Sequence, residues 1–550
     1  MLTVFLFPLK RPFSMSAPAM RQSSVPLGAG VSPGRRSESR RAGVGGGGFA
    51  AGSREAPHAV VIGSGFGGLA AALRLRVKGY RVSVLERLED IGGRAFVHRQ
   101  DGFTFDAGPT IITAPFLLEE LWTLCGRRFS DDVDLRPMAP FYRIRFHDGS
   151  HFDYFGTTPA MRSEVARVGG PQEVAGYDAF MREAMVCLKL GYEELGTKSF
   201  VSLGDLLAAM PSMVRMQAWK TIHSMAARHF QSEKLQQVFS FHPLLIGGNP
   251  FAVTQVYSLI TALEREYGVH SAMGGTGAIV AALARLLEDQ GGEIFCNTDV
   301  QEILLDGRRA VGVRLTNGRV IAADMVVSNA DAAHTYRNML PASARRVWTD
   351  AKVARSNYSM GLFVWYFGTR RRYEDLPHHM ILLGPRYKGL LTDIFKRKVL
   401  SKDFSLYLHR PTATDPALAP EGCDTFYVLS PVPHLDADVD WRVQAEPYRQ
   451  SIARYLEDSV LPGLEGEIVT SKVVTPLDFA SRLLAYKGAA FGMEPRLLQS
   501  AWFRPHNASE DIEGLYMVGA GTHPGAGVPG VLSSAKAFDS LIAPVGAAAR

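Results

Sequence analysis

The stretch HAVVIGSGFGGLAAALRLRVKGYRVSVLE (58–86) decides the fold. HAVVI (58–62) is a short apolar run, the composition of a strand buried on both faces. GSGFGG (63–68) then turns into LAAALRLRVKG, which has helical spacing and a stop glycine at Gly79. YRVSVLE (80–86) is a second strand that ends on an acid, Glu86. Each position has a physical task. Gly63 permits the tight turn, Gly65 and Gly67 keep the loop bare, and Gly68 allows close helix–strand packing. The helix N-terminus offers amide hydrogens and partial positive charge to a pyrophosphate, while Glu86 can accept both hydroxyls of a ribose. Strand, GxGxxG, helix, strand and acid in register define a dinucleotide-binding unit, where a lone GxGxxG would not.

The next residues choose the dinucleotide. ERLEDIGGRA (86–95) sets Gly92, Gly93 and Arg94 directly behind the ribose-binding acid. An arginine held there is a permanently charged donor to a diphosphate. Glutathione-reductase-like flavoproteins of the amine oxidase group carry this element, and the resemblance implies FAD. It also implies that GFTFDAGPT (102–110), with Gly108, passes its backbone beside the flavin ring.

Further along, Gly277 to Gln290 has amphipathic helical spacing with a stop at Gly291-Gly292. EIFCNT and VQEILLD follow as strands, and AVGVRLT-NG-RVIAAD is a hairpin whose Asn-Gly predicts a type I′ turn. DMVVSNA (324–330) is another buried strand. The predicted architecture is α/β, a Rossmann-like FAD-binding domain of the glutathione-reductase/amine-oxidase type with an inserted α+β substrate domain. The FAD domain is assembled from 56–125, 270–332 and 495–545. Residues 126–269, a substrate and membrane-associating part, and 333–494 form the remainder.

Near the C-terminus LYMVGAG (515–521) reads as a strand entering a second glycine loop, GAGTHPGAGVPG (519–530), and GVLSSAKAFDSLI as the helix leaving it. Its helix N-terminus is expected to cover the ribityl chain and the flavin edge that gains negative charge on reduction, through Gly519, Gly521 and Gly527.

At this point the sequence is similar to the bacterial-type phytoene desaturases of carotenoid biosynthesis. GGRAFVHRQDGFTFDAGPTIITAP, FSFHPLLIGGNPF (239–251), ALEREYGV (262–269), SNADAAHTYRNML, APEGCDTFYVLSPVPHL (419–435), QSAWFRPHN (499–507) and the second glycine loop stand in that family's order, from about 57 to 542. The resemblance implies FAD-dependent insertion of C=C bonds into phytoene, a C40 hydrocarbon, toward lycopene, with quinone or oxygen as the final acceptor. It adds Val300, presenting its backbone to the adenine, and Thr522 to the cofactor contacts. Alternatives are a C30 or hydroxycarotenoid desaturase, an isomerase or a saturase; a prenyl-binding carrier of the same superfamily would lack the flavin. Each desaturation sends out a hydride and a proton, so the protein must supply alignment, a dry cavity and a proton acceptor.

An apolar tunnel is expected, with candidates in FHPLLIGGNPFAV, MGLFVWYF (360–367) and AWF (501–503). Asp205, an acid in the apolar run LGDLLAAM, is the candidate proton acceptor, with a helix-start role as the alternative. His242 and His523 are expected to hold hydrogen bonds, and no metal set is visible. Residues 205–232 mix Leu, Met and Trp with Arg215, Lys220 and Arg228, which reads as an interfacial segment or as a packed helical lid.

Composition removes other classes. The formal charge of +6 lies in the leader, where residues 1–54 hold eight basic side chains against Glu38 alone. The rest, with 52 basic and 53 acidic residues, has no nucleic-acid footprint. Cys125, Cys187, Cys296 and Cys423 are far apart and read as reduced, buried thiols. Residues 1–55 read as a disordered extension or a transit-like leader, or contain the true start at Met15 or Met20. The expected location is peripheral, on the cytoplasmic face of a bacterial membrane, or a plastid if the leader is a transit peptide.

Overall fold

The computed structural model describes residues 56–546, so the leader assigned to 1–55 lies outside the described residues. A five-stranded parallel sheet runs in the order Leu515–Met517, Met325–Ser328, His58–Ile62, Arg81–Leu85 and Glu293–Phe295. Its strands come from three distant parts of the chain. His58–Ile62 sits at the centre with every residue buried, as its continuous apolar run requires. The helix Phe66–Val77 packs on this sheet beside two others, Thr276–Asp289 and Val528–Asp539. A Cβ added to Gly68 would fall 2.1 Å from the Gly63 carbonyl oxygen, so the helix lies as close as only glycine allows.

The ribbon predicted at 300–322 is three-stranded, Val300–Asp306, Arg309–Leu315 and Val320–Ala322, all antiparallel. Its turn is not type I′. Gly318 alone has a positive φ (+83°), while the Leu315 and Arg319 backbones pair through a 2.9 Å bond. A type I′ turn needs both central residues left-handed; a three-residue loop lets Asn317 stay right-handed and leaves the strain to Gly318.

The second layer is a seven-stranded mixed sheet. Its order is Ile468–Val474, Gly361–Thr369, Asp424–Val432, Leu406–His409, His379–Leu382, Tyr142–Arg145 and His151–Tyr154. The two insertions therefore share one sheet, joined by parallel pairing of Tyr142–Arg145 with His379–Leu382. Gly361–Thr369 is buried along its whole length. Period-two alternation sends Phe363, Trp365 and Phe367 into a core with Phe426 and Trp441, and Leu362 and Tyr366 into the cavity described below. MGLFVWYF is thus both core and lining, by strand face.

The cysteines are free, but the expected burial holds for one of the four. Only Cys187 is fully buried, and burial pushes its thiol up to about 11; Cys125, Cys296 and Cys423 are partly exposed. No helix among the described residues is long and apolar enough to cross a membrane.

Gly68→Ala must push the helix off the sheet, so it should cost about 1–3 kcal/mol of stability or more. The control is Gly466→Ala, where an added Cβ meets nothing within 4 Å; it should change stability by less than about 1 kcal/mol. Paired thermal melts check both.

Candidate active site

One cavity of about 810 Å³ is lined both by the first glycine loop and by apolar side chains of the second layer. At its polar end Gly63 has φ +92°, and a Cβ on Gly65 would approach Asn329 Nδ2 to 3.0 Å. The following helix, Phe66–Val77, has no side-chain cap and no acid in its first turn, so its leading amides are left for an anion. Glu86 is buried at the end of its strand. Its Oε2 accepts from Ser64 N (2.9 Å) and Ser64 Oγ (2.7 Å), and its Oε1 from Leu88 N (3.0 Å). These bonds fix the carboxylate in the wall with lone pairs to spare for a diol.

Arg94 donates Nε–H to the Ala490 carbonyl (2.8 Å), and its two terminal nitrogens have no partner among the described residues. Burial draws its guanidinium below the usual value, opposed by the carboxylate of Asp331. A free fork on a loop beside bare glycine backbone fits a diphosphate. Gly108 is glycine because a Cβ would strike the Arg94 carbonyl oxygen at 2.0 Å. Val300 begins the ribbon and also reaches the wall.

The second glycine loop is divided. Gly527 has φ +95°, caps the helix Val528–Asp539 and lines the cavity, as do Ala520 and Gly525. Gly519, Gly521 and Thr522, expected on the cofactor, are not among the residues that line the cavity, and neither is Gly68. A Cβ on Gly519 would stand 2.4 Å from Asn329 Oδ1, and one on Gly521 2.7 Å from Ala332 Cβ, so packing alone already requires glycine at both positions. The Thr522 hydroxyl is spent on the Pro505 carbonyl. Sequence reasoning overlooked Arg504, in QSAWFRPHN. It is fully buried, donates to the carbonyls of Gln499, Met493 and Ala520 (3.0–3.3 Å), and brings positive charge to this end of the cavity with no carboxylate partner among the described residues. The SNAD segment supplies Asn329 and Asp331, and both line the cavity.

Asp205 is not brought to the wall. Its Oδ2 accepts from Val201 N (3.0 Å) and Ser202 N (2.7 Å), while the Ser202 hydroxyl accepts from Asp205 N, forming a capping box for the helix Leu203–Arg215. Those backbone bonds hold its carboxyl below the usual range, the wrong direction for a proton acceptor. His523 is held by the Leu195 carbonyl (3.1 Å), and burial lowers it to about 4. Elsewhere Thr110 Oγ1, Tyr407 OH and His379 Nδ1 form a chain (2.6 and 2.7 Å). His379 stands in a group with His378 and His409, whose Nε2 atoms bond each other at 2.9 Å. Burial drives His378 to about 4 and the other two well below their usual value, so the imidazoles are neutral.

Bare glycine turns, a ribose-height carboxylate and a free guanidinium on one wall define a dinucleotide-dependent oxidoreductase. The chain belongs to the Flavin containing amine oxidoreductase family, whose profile matches residues 66–537, and its cofactor is FAD. It is 52% identical over 492 residues to "Phytoene desaturase (neurosporene-forming)" of Cereibacter sphaeroides, covering 88% of this chain and 95% of that one. It is 46% identical over 483 residues to "Phytoene desaturase (lycopene-forming)" of Pantoea ananas, covering 88% and 98%. Among solved structures, putrescine oxidase superposes with TM-score 0.57 at 14% identity, covering 88% of this chain and 98% of that one, which shows the shared fold.

Arg94→Ala and Glu86→Ala should each weaken FAD binding by about 10- to 100-fold, since each removes a charged hydrogen-bonding group. Titration of flavin-stripped protein, followed by flavin absorbance, checks this. A change under twofold in both variants would place the cofactor elsewhere.

Proposed function

We propose that this protein desaturates phytoene, carrying it by successive C=C insertions to lycopene at a bilayer surface. The observation that carries the reading is the single cavity joining the flavin cradle to an apolar chamber. A hydrocarbon offers no hydrogen-bonding handle, so its recognition falls to shape and dryness. Bound FAD supplies a two-electron acceptor. The chain's own residues supply the rest: Leu362, Tyr366, Leu263 and Phe491 exclude water and align the polyene, and buried Arg504 adds positive charge. The relatives named as phytoene desaturases support the substrate. A stop at neurosporene is the second reading, favoured by the 52% identical relative, named as neurosporene-forming.

The helix Leu203–Arg215 supports the membrane part. Leu206, Ala209 and Met213 line the cavity, whereas Leu203, Leu207, Met210 and Val214 face outward and are exposed, with Trp219 beyond them. A helix apolar on both sides fits a lipid surface from which a hydrocarbon enters. The reading places the enzyme on the cytoplasmic face of a bacterial membrane, or in a plastid if the leader is a transit peptide, with quinone or oxygen reoxidising the flavin.

Incubation with phytoene in liposomes, followed by chromatography of the extract, should yield lycopene. Accumulated neurosporene would select the second reading, and no coloured product would overturn both. Leu207→Glu with Val214→Glu should abolish co-flotation with liposomes while flavin absorbance stays unchanged; undiminished flotation would remove this helix as the docking element.

A further inference from the structure

Desaturation releases a proton inside a dry cavity, and Asp205 does not reach it. Another acid does. Glu264, on the helix Leu259–Tyr267, is fully buried and stands in the cavity wall next to Leu263 and near Phe241. Its Oε2 accepts a short hydrogen bond from Tyr142 OH and lies 3.3 Å from His242 Nε2; Tyr142 OH and His242 Nε2 are themselves 3.1 Å apart. His242 Nδ1 continues to Thr261 Oγ1 at 3.2 Å. Burial pushes the Tyr142 phenol well above its usual value, so the phenol remains a donor. Oε1 has no hydrogen-bond partner among the described residues. No lysine or arginine among the described residues pairs with this carboxyl: the adjacent Arg265 turns away to Gly156 and Thr158. A buried acid with one oxygen held and the other unpaired is costly for a merely structural group and belongs to functional sites.

We propose that Glu264 is the catalytic proton acceptor of the desaturation, an inference that rests on the reaction proposed above. One C–H bond of the substrate gives its hydrogen and electron pair as hydride to bound FAD. The adjacent C–H bond gives its proton to the Glu264 carboxylate, and the pair left behind becomes the new C=C bond. The substrate loses two electrons, the flavin gains them, and the carboxylate becomes a carboxylic acid. Tyr142 and His242 are positioning residues that hold the acceptor against the wall.

The test uses full-length protein loaded with FAD and mixed anaerobically with phytoene liposomes. Wild-type protein must first bleach its flavin and form a desaturated product, which checks the reaction independently. Glu264→Gln keeps the size and one acceptor oxygen but cannot take the proton. It should bind FAD with unchanged absorbance and bleach at least about 100-fold more slowly, the scale of general base catalysis. Reaction-induced infrared difference spectra should show a protonated-carboxyl band in wild-type protein that Glu264→Gln lacks. Glu264→Asp, which withdraws the carboxylate by one methylene, should fall between the two and decides the matter if the glutamine variant does not fold. Bleaching at the wild-type rate in either variant, or an infrared band unchanged by the substitution, would overturn the assignment.

Discussion

Two backbone loops more than 450 residues apart touch across one side chain, and the cavity depends on that contact. A Cβ on Gly67 would stand 2.7 Å from Asn329 Oδ1 and 3.0 Å from Gly519 Cα; one on Gly519 would stand 2.4 Å from the same Asn329 oxygen. These close approaches, two of them to one amide, lock the ends of three parallel strands together. The backbone continues the lock, with Asn329 N donating to Ile62 O and Val518 N to Ser328 O, both at 2.9 Å. Strand order makes it possible, because Met325–Ser328 lies between His58–Ile62 and Leu515–Met517. The carboxyl ends of adjacent parallel strands are where an open α/β sheet offers its crevice. In this chain that crevice cannot close until the last fifty residues are in place.

From that lock the cavity extends into a different chemistry. Charge gathers at the cradle end, in Glu86, Arg94 and Asp331, while the second layer contributes mostly apolar side chains. One strand, Gly361–Thr369, links packing to function by alternation: its odd aromatic residues hold the outer core, and Leu362 and Tyr366 face the cavity. A one-residue slip would exchange the two sets, so the extensive pairing of this strand with Asp424–Val432 and Ile468–Val474 is also what keeps the wall in register.

Much of this was legible in the sequence, and the failures have physical causes. The first strand–loop–helix–strand unit is local, so its glycines and Glu86 could be read from spacing, while Arg94 came with the resemblance to flavoproteins. At Gly519 and Gly521 the loop signals that backbone must come close to something; the sequence points to a cofactor and does not reveal the close approach to Asn329 and Ala332. The hairpin at Asn317-Gly318 took its loop length from strand pairing, which the dipeptide does not fix. Asp205 carried its own correction: Ser202-x-x-Asp205 before an apolar helix is a capping-box pattern, and backbone amides satisfy the acid there. Glu264 had the opposite disguise. In LITALEREY it stands beside Arg265 and Glu266, a charge run that normally marks a solvated face, and only Tyr142 and His242, distant in sequence, turn it inward.

The few polar groups around the chamber follow from what the chamber must exclude. A charged side chain in an apolar wall draws water, and water at a transient allylic cation would trap it as an alcohol. Behind Tyr407, outside the lining itself, burial opposes protonation of the three imidazoles and so keeps charge out of the layer next to the wall. Tyr366 and Tyr407 meet this constraint by spending their hydroxyls on the Ala107 carbonyl and on Thr110 and His379. A single acid held by a phenol and an imidazole is then the least polarity that can still take up a proton. Catalytic power in such a site lies less in a motif of reactive residues than in keeping water away from the reacting carbons, with the phenols of the wall each given a partner.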